Sequence, residues 1–398
     1  MRRFIVIGSG IVGLSIADKL LKKKLVKPKD LLILDKYSIP SNGTSTHNSG
    51  VLHAGLYYDS ESLKAKLSIE GRVKLRQWCI DNNLPICDCG KLLVPFSKKD
   101  NERIDFIYKN ALNNGCKVEI IDYAKAIKIQ PGLKKQDFYL WSPKTAVFDP
   151  SLILRKLYQL LKEAGVTFIK ASVVEDDSSN KRLRLANNTY INYSRYINCA
   201  GAGALRIAKT ISNKFDNLSI VPFLGEYGIQ RGGETNKTNI YPVPDPELPF
   251  LGIHLTPRIN NTALIGPNAL PVLRKDTQGF DLRDMVAVPS IVLNNIILFA
   301  KNKQNYREHA FSELSLNVKE KFLKNSLRFF DDNAKKDFKI SMDKTTYGIR
   351  PQLIKTKSHE FVNDFIYEII DENIHIVNAV SPAFTCSFAL AEYIINLL

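Results

Sequence analysis

Phe4-Ile5-Val6-Ile7-Gly8-Ser9-Gly10-Ile11-Val12-Gly13 is an apolar run that breaks into regularly spaced glycines, and Leu31-Leu32-Ile33-Leu34-Asp35 is a second apolar run closed by an acid. The first run reads as a buried strand ending in a turn, with a helix beyond Gly10. In such a unit Gly8 permits the tight turn, Gly10 lets the backbone approach a pyrophosphate, and Gly13 lets the helix pack close against the strand. The free N–H groups and positive dipole end of the helix then face the phosphates. Asp35 follows Gly13 by 22 residues, the spacing of a carboxylate that accepts hydrogen bonds from ribose hydroxyls. Three glycines alone are a weak signal. Strand, turn, helix, strand and acid in that order specify a Rossmann-like dinucleotide-binding unit, although the pattern suits FAD and NAD equally.

The chain has 398 residues, more than a single core usually organises, so two domains are expected. Its 44% hydrophobic and 24% charged residues are those of a folded protein, without low-complexity tracts or repeats. The six cysteines, Cys79, Cys87, Cys89, Cys116, Cys199 and Cys386, form no C-x-x-C pair and have no histidine spacing suited to zinc. Reduced thiols in a cytoplasmic compartment account for them. Met1-Arg2-Arg3 leads directly into the first strand, leaving no room for a cleaved signal peptide.

A net charge of +16 would attract an anionic membrane, a nucleic acid or a small dianionic substrate. No basic stripe interleaved with aromatics is present, so no nucleic-acid partner is expected. Residues 285–300 are apolar but are interrupted by Pro289, Asn294 and Asn295. They are too short to span a bilayer. With Lys301 and Lys303 following, the segment reads either as a helix lying on the inner face of the membrane or as a core helix.

Farther along, Ser38 to Gly50 form a polar loop, and helices are expected over Ser62–Asn82, Asn101–Asn114 and, capped by Asp149, up to Gly165. Short strands are expected at Val166–Ile169, Ser172–Glu175, Leu183–Leu185, Tyr190–Asn192 and Tyr196–Cys199, the last ending in Ala200-Gly201-Ala202-Gly203. A second glycine turn returns the chain to the nucleotide crevice. From Ile220 to about Pro267 alternating strands with Pro-rich turns suggest an antiparallel sheet. There Leu251, Ile253 and Leu255 alternate with Gly252, His254 and Thr256, placing His254 on a small, polar face. The expected class is α/β plus α+β. Its parts are a discontinuous Rossmann-like dinucleotide-binding domain (1–85, 145–220, 345–398) and an antiparallel-sheet substrate domain (86–144, 221–344).

FAD enters through resemblance, which implies that the discontinuous Rossmann-like domain is an FAD-binding domain. His47-Asn48-Ser49-Gly50-Val51-Leu52-His53-Ala54-Gly55-Leu56-Tyr57-Tyr58 and Leu63-Lys64-Ala65-Lys66-Leu67 resemble the L-2-hydroxyglutarate dehydrogenase and oxidase family. The likeness continues at Cys89-Gly90-Lys91, Thr145-Ala146-Val147, Asn198-Cys199-Ala200-Gly201, Gly266-Pro267-Asn268-Ala269, Gly348-Ile349-Arg350 and Asn378-Ala379-Val380-Ser381-Pro382. It is weakest over 284–340, and the chain departs from the family pattern at Leu224, Gly228, Phe384 and Cys386. That family is similar to D-amino-acid oxidase, whose members bind FAD and oxidise a C–H bond beside a carboxylate. The resemblance implies oxidation of a small 2-hydroxy acid, L-2-hydroxyglutarate first, with quinone or oxygen as electron acceptor. An FAD-dependent amino-acid oxidase or dehydrogenase is the alternative.

Such a reaction needs a cation for the carboxylate and a base for the hydroxyl proton. Arg350 offers a planar fork suited to a carboxylate, or else to an interdomain salt bridge. His53 and His254 are the candidate bases, because neutral imidazole accepts a proton near working pH; a structural hydrogen bond is the alternative for either. Ser45 and His47 in the polar loop, Val174, Ala200, Gly201, Ser381 and Pro382 join Gly8, Gly10, Gly13 and Asp35 as residues expected to hold FAD. Ser381 is expected to cap the last helix, whose positive end would face the flavin. No metal site is expected.

Overall fold

In the computed structural model the described residues are 3–37, 39–230, 236–245, 250–277, 282–316 and 319–398. The opening run forms the strand Arg3–Ile7 and the helix Ile11–Lys22, and the second run forms the strand Leu31–Asp35. These strands pair in parallel, Ile5 opposite Leu32 and Ile7 opposite Leu34. Thr167–Lys170 extends the sheet on one side in parallel. On the other side lies Tyr190–Asn198, joined in turn by the last strand, Asn373–Asn378, also in parallel. Ile5, Val6, Leu31, Ile33 and Leu34 are wholly buried, as strands covered on both faces require. The helices Ile11–Lys22, Leu63–Asp81, Pro150–Glu163 and Ala383–Ile395 supply the core on one face.

Capping residues act largely as their types dictate. Ser62 accepts a hydrogen bond from the Ala65 amide, and Asp149 from the Ser151 and Leu152 amides. Ser97 accepts from Asp100 N, so the helix expected from Asn101 begins instead at Lys98. The two strands expected at Tyr190–Asn192 and Tyr196–Cys199 are one strand. Its first half pairs antiparallel with Arg182–Leu185, and its second half is held between Arg3–Ile7 and Asn373–Asn378. A change of partner along a strand needs no break in it.

The second sheet has ten strands. Its spine is Leu218–Gln230 against Ile340–Lys355, antiparallel, with Phe223 opposite Arg350. The expected division points at 220 and 345 therefore lie inside paired strands. The pairings are antiparallel except one: Asn239–Pro242 runs parallel to Lys91–Val94, because the chain crosses between segments far apart in sequence rather than through a tight turn. The strand expected over Leu251–Thr256 covers only His254–Pro257. Gly252, at a left-handed φ of +70°, interrupts the extended run. The Pro-rich turn after Tyr241 passes beyond residue 245 and lies partly outside the described residues, as do Met1, Arg2 and Ser38. The helices Val288–Lys301, Tyr306–Leu316 and Lys319–Leu327 pack against this sheet, with Leu298, Ala310 and Phe322 in its cores.

Candidate active site

The two sheets meet around a cavity of about 320 Å³. One end is the glycine turn. Gly8 has φ +109°, and a Cβ there would lie 2.3 Å from the carbonyl oxygen of Cys199. A Cβ on Gly13 would stand 2.0 Å from the Gly8 carbonyl oxygen, so Gly13 serves helix packing and does not line the cavity. Ile11 N donates to Ser45 Oγ at 3.0 Å, so the polar loop braces the helix start. Gly10, Ile11 and Val12 border the cavity, where the remaining N–H groups of the first turn have no intrahelical partner.

Asp35 is buried at the end of its strand and tied to the turn. Its Oδ2 accepts from the Ser9 amide (2.8 Å) and the Ser9 hydroxyl (2.9 Å). Burial raises its pKa, opposed by these hydrogen bonds. Its neighbour Lys36 reaches across to the second sheet's side and pairs with Asp276 at 3.1 Å. Asp35, Ser45, His47, Ala200, Gly201, Ser381 and Pro382 all face the cavity. His47 is anchored through Nδ1, 3.0 Å from the Gly43 carbonyl oxygen.

Two expectations change. Val173 lines the cavity and Val174 does not; the pairing of this strand with Arg182–Leu185 shifts register between Val173 and Glu175, an irregularity that falls on Val174. Ser381 does not cap the last helix: Pro382 holds the cap position and no side chain closes it. The uncapped N-terminus of Ala383–Ile395 opens on the cavity, which Pro382, Ala383 and Phe384 border. A glycine cradle that no side chain can enter, an acid at the adjacent strand end and two helix starts directed at one space fit a flavin dinucleotide.

His53, His254 and Arg350 line the same cavity. His53 enters from the loop after Val51–Leu52, its backbone N–H donating to Thr385 Oγ1 at 3.1 Å. Burial, followed by the positive influence of Lys91, His254, Arg350 and Lys64, holds its imidazole well below the usual range. His254 Nδ1 lies 2.9 Å from the Gly252 carbonyl oxygen. A carbonyl can only accept, so the proton sits on Nδ1 and Nε2 carries the lone pair. Burial pushes this imidazole down to about 3, against the pull of the Gly252 bond.

Arg350 lies over the Phe250 ring, 5.1 Å from its centroid. Burial lowers its pKa, while Tyr227 and Tyr58 favour the charged form. It forms no ion pair among the described residues, so the interdomain salt bridge is not seen. His375 is a structural histidine, its ring nitrogens 3.1 Å from Tyr196 Oη and 3.2 Å from Asn198 Nδ2. No group of side chains suited to a metal ion occurs among the described residues.

Four further residues belong to this neighbourhood. Lys64 and Lys91 are buried cations, brought down to about 8 and about 7 chiefly by burial. Glu313 lines the cavity, accepts the Ala269 amide proton and is raised by burial to about 7. His309 stacks on Phe250 with centroids 4.8 Å apart. Lys64 and Lys91 lie in motifs of the resemblance, whereas Glu313 and His309 sit on a helix whose sequence carries no motif.

Residues 3–397 match the family model described as DAO, FAD dependent oxidoreductase. The mitochondrial L-2-hydroxyglutarate dehydrogenase of Caenorhabditis briggsae is 32% identical over 418 residues, covering 98% of this chain and 91% of that protein. The L-2-hydroxyglutarate dehydrogenase of Escherichia coli (strain K12) is 26% identical over 402 residues, covering 100% and 93%. Among solved structures, dithionite-reduced L-alpha-glycerophosphate oxidase from Mycoplasma pneumoniae with FAD bound superposes with a TM-score of 0.70 at 17% identity, covering 100% of this chain and 94% of that one. Glycine oxidase from Geobacillus kaustophilus gives 0.73 at 16%, covering 100% and 95%. At those identities the structures speak for the fold alone. The motifs, the cradle and the match over nearly its full length agree: the chain belongs to the DAO family of FAD dependent oxidoreductases.

Proposed function

We propose that this chain oxidises a small 2-hydroxy acid to the 2-oxo acid, with L-2-hydroxyglutarate as substrate. The observation that carries the reading is Arg350, an enclosed guanidinium without a carboxylate partner among the described residues, facing the cavity shared by His53 and His254. An enclosed, unneutralised cation is costly unless a ligand supplies the opposite charge. Gly8, Gly10, Asp35, Ser45, His47, Val173, Ala200 and Gly201 are the residues we assign to FAD, and the two open helix starts complement its negative charge. When bound, FAD supplies a two-electron acceptor for the hydride.

Arg350 holds the carboxylate next to the carbon that is oxidised. His254 Nε2 takes the hydroxyl proton, and His53 completes the wall beside it. Burial, reinforced by the cationic surroundings, keeps both imidazoles neutral and makes them weak bases in the free protein. A bound carboxylate offsets that field and raises the imidazole toward the range where it accepts a proton. The same field opposes an ammonium group, which argues against an amino-acid substrate. Anaerobic bleaching of the flavin band by L-2-hydroxyglutarate tests the reading; bleaching by amino acids alone would overturn it.

The electron acceptor we assign is a membrane quinone. Val286 (84% exposed), Leu293 and Ile296 lie uncovered around the helix Val288–Lys301, and Phe311 and Leu314 on the next helix. Phe299 and Phe311 join the two helices, and Lys301, Lys303 and Arg307 stand at their junction. Exposed apolar residues rimmed by cations suit an anionic bilayer surface. No single helix among the described residues is long and apolar enough to cross a membrane; two consecutive ones that pass together are bent by 115°. Co-sedimentation with anionic vesicles, lost on replacing Leu293 and Ile296 together by Ser, supports this assignment; unchanged sedimentation removes it.

A further inference from the structure

Lys91 is 1% exposed, carries a side chain that usually seeks water, and has no carboxylate acting on it among the described residues; the titratable group that acts on it is the Cys89 thiol, which burial keeps protonated. It begins the strand Lys91–Val94, which lies beside Asn239–Pro242, which in turn lies beside His254–Pro257. Tyr241 on the middle strand consequently has Lys91 from one neighbour and His254 from the other. The Lys91 ammonium sits 4.3 Å from the Tyr241 ring centroid, and the His254 ring stacks on Tyr241 at 3.9 Å and 16°. A second tyrosine, Tyr57, has its ring 5.3 Å from the ammonium, and its buried hydroxyl has no hydrogen-bond partner among the described residues.

Lys64 differs in one respect. It is also buried and lies in the field of Arg350, but Asp364 partly offsets its charge. The end of the cavity formed by His53, Tyr241, His254 and Arg350 is thus backed by more positive charge than one carboxylate neutralises. Burying an ammonium without a counter-charge disfavours folding, and an aromatic face recovers only part of that cost. The missing charge belongs to the ligand. Arg350 accounts for one carboxylate, and the unassigned cation nearest the two histidines is Lys91.

We propose that Lys91 sets the preference of this site for a substrate with a second carboxylate, acting from one ring's thickness behind the wall formed by Tyr241. This rests on the 2-hydroxy-acid reading and adds to it the residue that distinguishes a dicarboxylate from a monocarboxylate of equal length. Because Lys91 stands behind the lining, it is a positioning residue. It acts through the field it casts into the cavity, which is strong where the medium is poorly polarisable.

The test compares flavin-loaded wild type, Lys91→Met and Lys91→Arg on L-2-hydroxyglutarate and on L-2-hydroxyvalerate, which has the same chain without the second carboxylate. Lys91→Met should lower kcat/KM for the dicarboxylate by roughly 10- to 100-fold, as expected for one poorly screened charge, while the monocarboxylate changes by less than about 3-fold. Lys91→Arg should restore most of the discrimination. A readout that needs no turnover accompanies it: glutarate should raise the melting temperature of the wild-type holoprotein more than valerate does, and Lys91→Met should erase the difference.

Equal losses on both substrates, or a preserved glutarate advantage in Lys91→Met, overturn the proposal even when the wild type bleaches normally. A wild type that bleaches with no hydroxy acid overturns the proposed reaction instead, and the glutarate and valerate comparison still decides Lys91. Should Lys91→Met fail to load flavin, Lys91→Gln takes its place in both measurements.

Discussion

The rings of Tyr241 and His254 lie face to face, centroids 3.9 Å apart and 16° from parallel. With Nδ1 pinned to the Gly252 carbonyl at 2.9 Å, this stack leaves the His254 ring no freedom to exchange its nitrogens. Nε2 is the basic atom by construction. His53 has no such constraint on its ring, its anchoring bond being made by the backbone amide.

Replacing His254 by Asn should therefore slow anaerobic flavin reduction by about 10²- to 10⁴-fold, the usual contribution of a positioned base, with the flavin spectrum intact. His53→Asn should cost less. Stopped-flow absorbance measures both, and a large loss confined to His53→Asn would move the base to that residue.

Arg350→Ala should raise the apparent Kd of the hydroxy acid by about 10²-fold, since a charge-assisted bond to a carboxylate is worth roughly 1.5–3 kcal/mol. Arg350→Lys should recover only part, because an ammonium cannot reproduce the two-pronged contact. Titrating the flavin spectrum with a non-reactive dicarboxylate such as glutarate reads this directly, and unchanged affinity removes Arg350 from the carboxylate.

Gly8→Ala should give protein that retains its helical signal and loses its yellow colour. The added Cβ would lie 2.3 Å from the Cys199 carbonyl oxygen, at a φ of +109° that alanine disfavours. Flavin absorbance per mole of protein, alongside circular dichroism, checks it. A fully yellow Gly8→Ala protein would contradict the placement of FAD at this turn.

Glu313 gives a pH dependence whose sign is fixed. Burial raises its carboxyl from 4.5 to about 7, so between these values the native state holds a proton that the unfolded chain releases. Stability from this group declines as pH rises through that window, by up to about 3 kcal/mol above it. Glu313→Gln should flatten the decline and melt higher than wild type at pH 8. Melting curves from pH 4.5 to 8 test this; parallel curves for the two proteins would refute it.

How much of this was legible in the sequence depended on whether a signal was local. The turn Gly8–Gly13 and Asp35 declare themselves because a tight turn and close backbone approach tolerate few residue types. Arg350, His53 and His254 were reachable through resemblance, but their convergence needed two sheets to meet. Val173 rather than Val174 lines the cavity, and the register shift that falls on Val174 cannot be read from Ser172–Glu175. Ser381 has the residue type of a cap but lies one position too early for it. Glu313 and His309 left no trace, since an acid and a histidine four apart on a helix are ordinary on any surface. Only the fold turns them inward. Lys91 reads as a surface lysine until its ammonium is seen beside the rings of Tyr57 and Tyr241.

The strand Asn373–Asn378 completes the parallel sheet beside Tyr190–Asn198, and the helix that follows presents its open start to the cavity. A ribosome making this chain releases the glycine turn well before that helix. The nascent protein consequently holds half a nucleotide crevice until the helix emerges, and prosthetic-group capture waits for it. Deleting the helix Ala383–Ile395 should yield an apoprotein even though every glycine of the opening turn is intact.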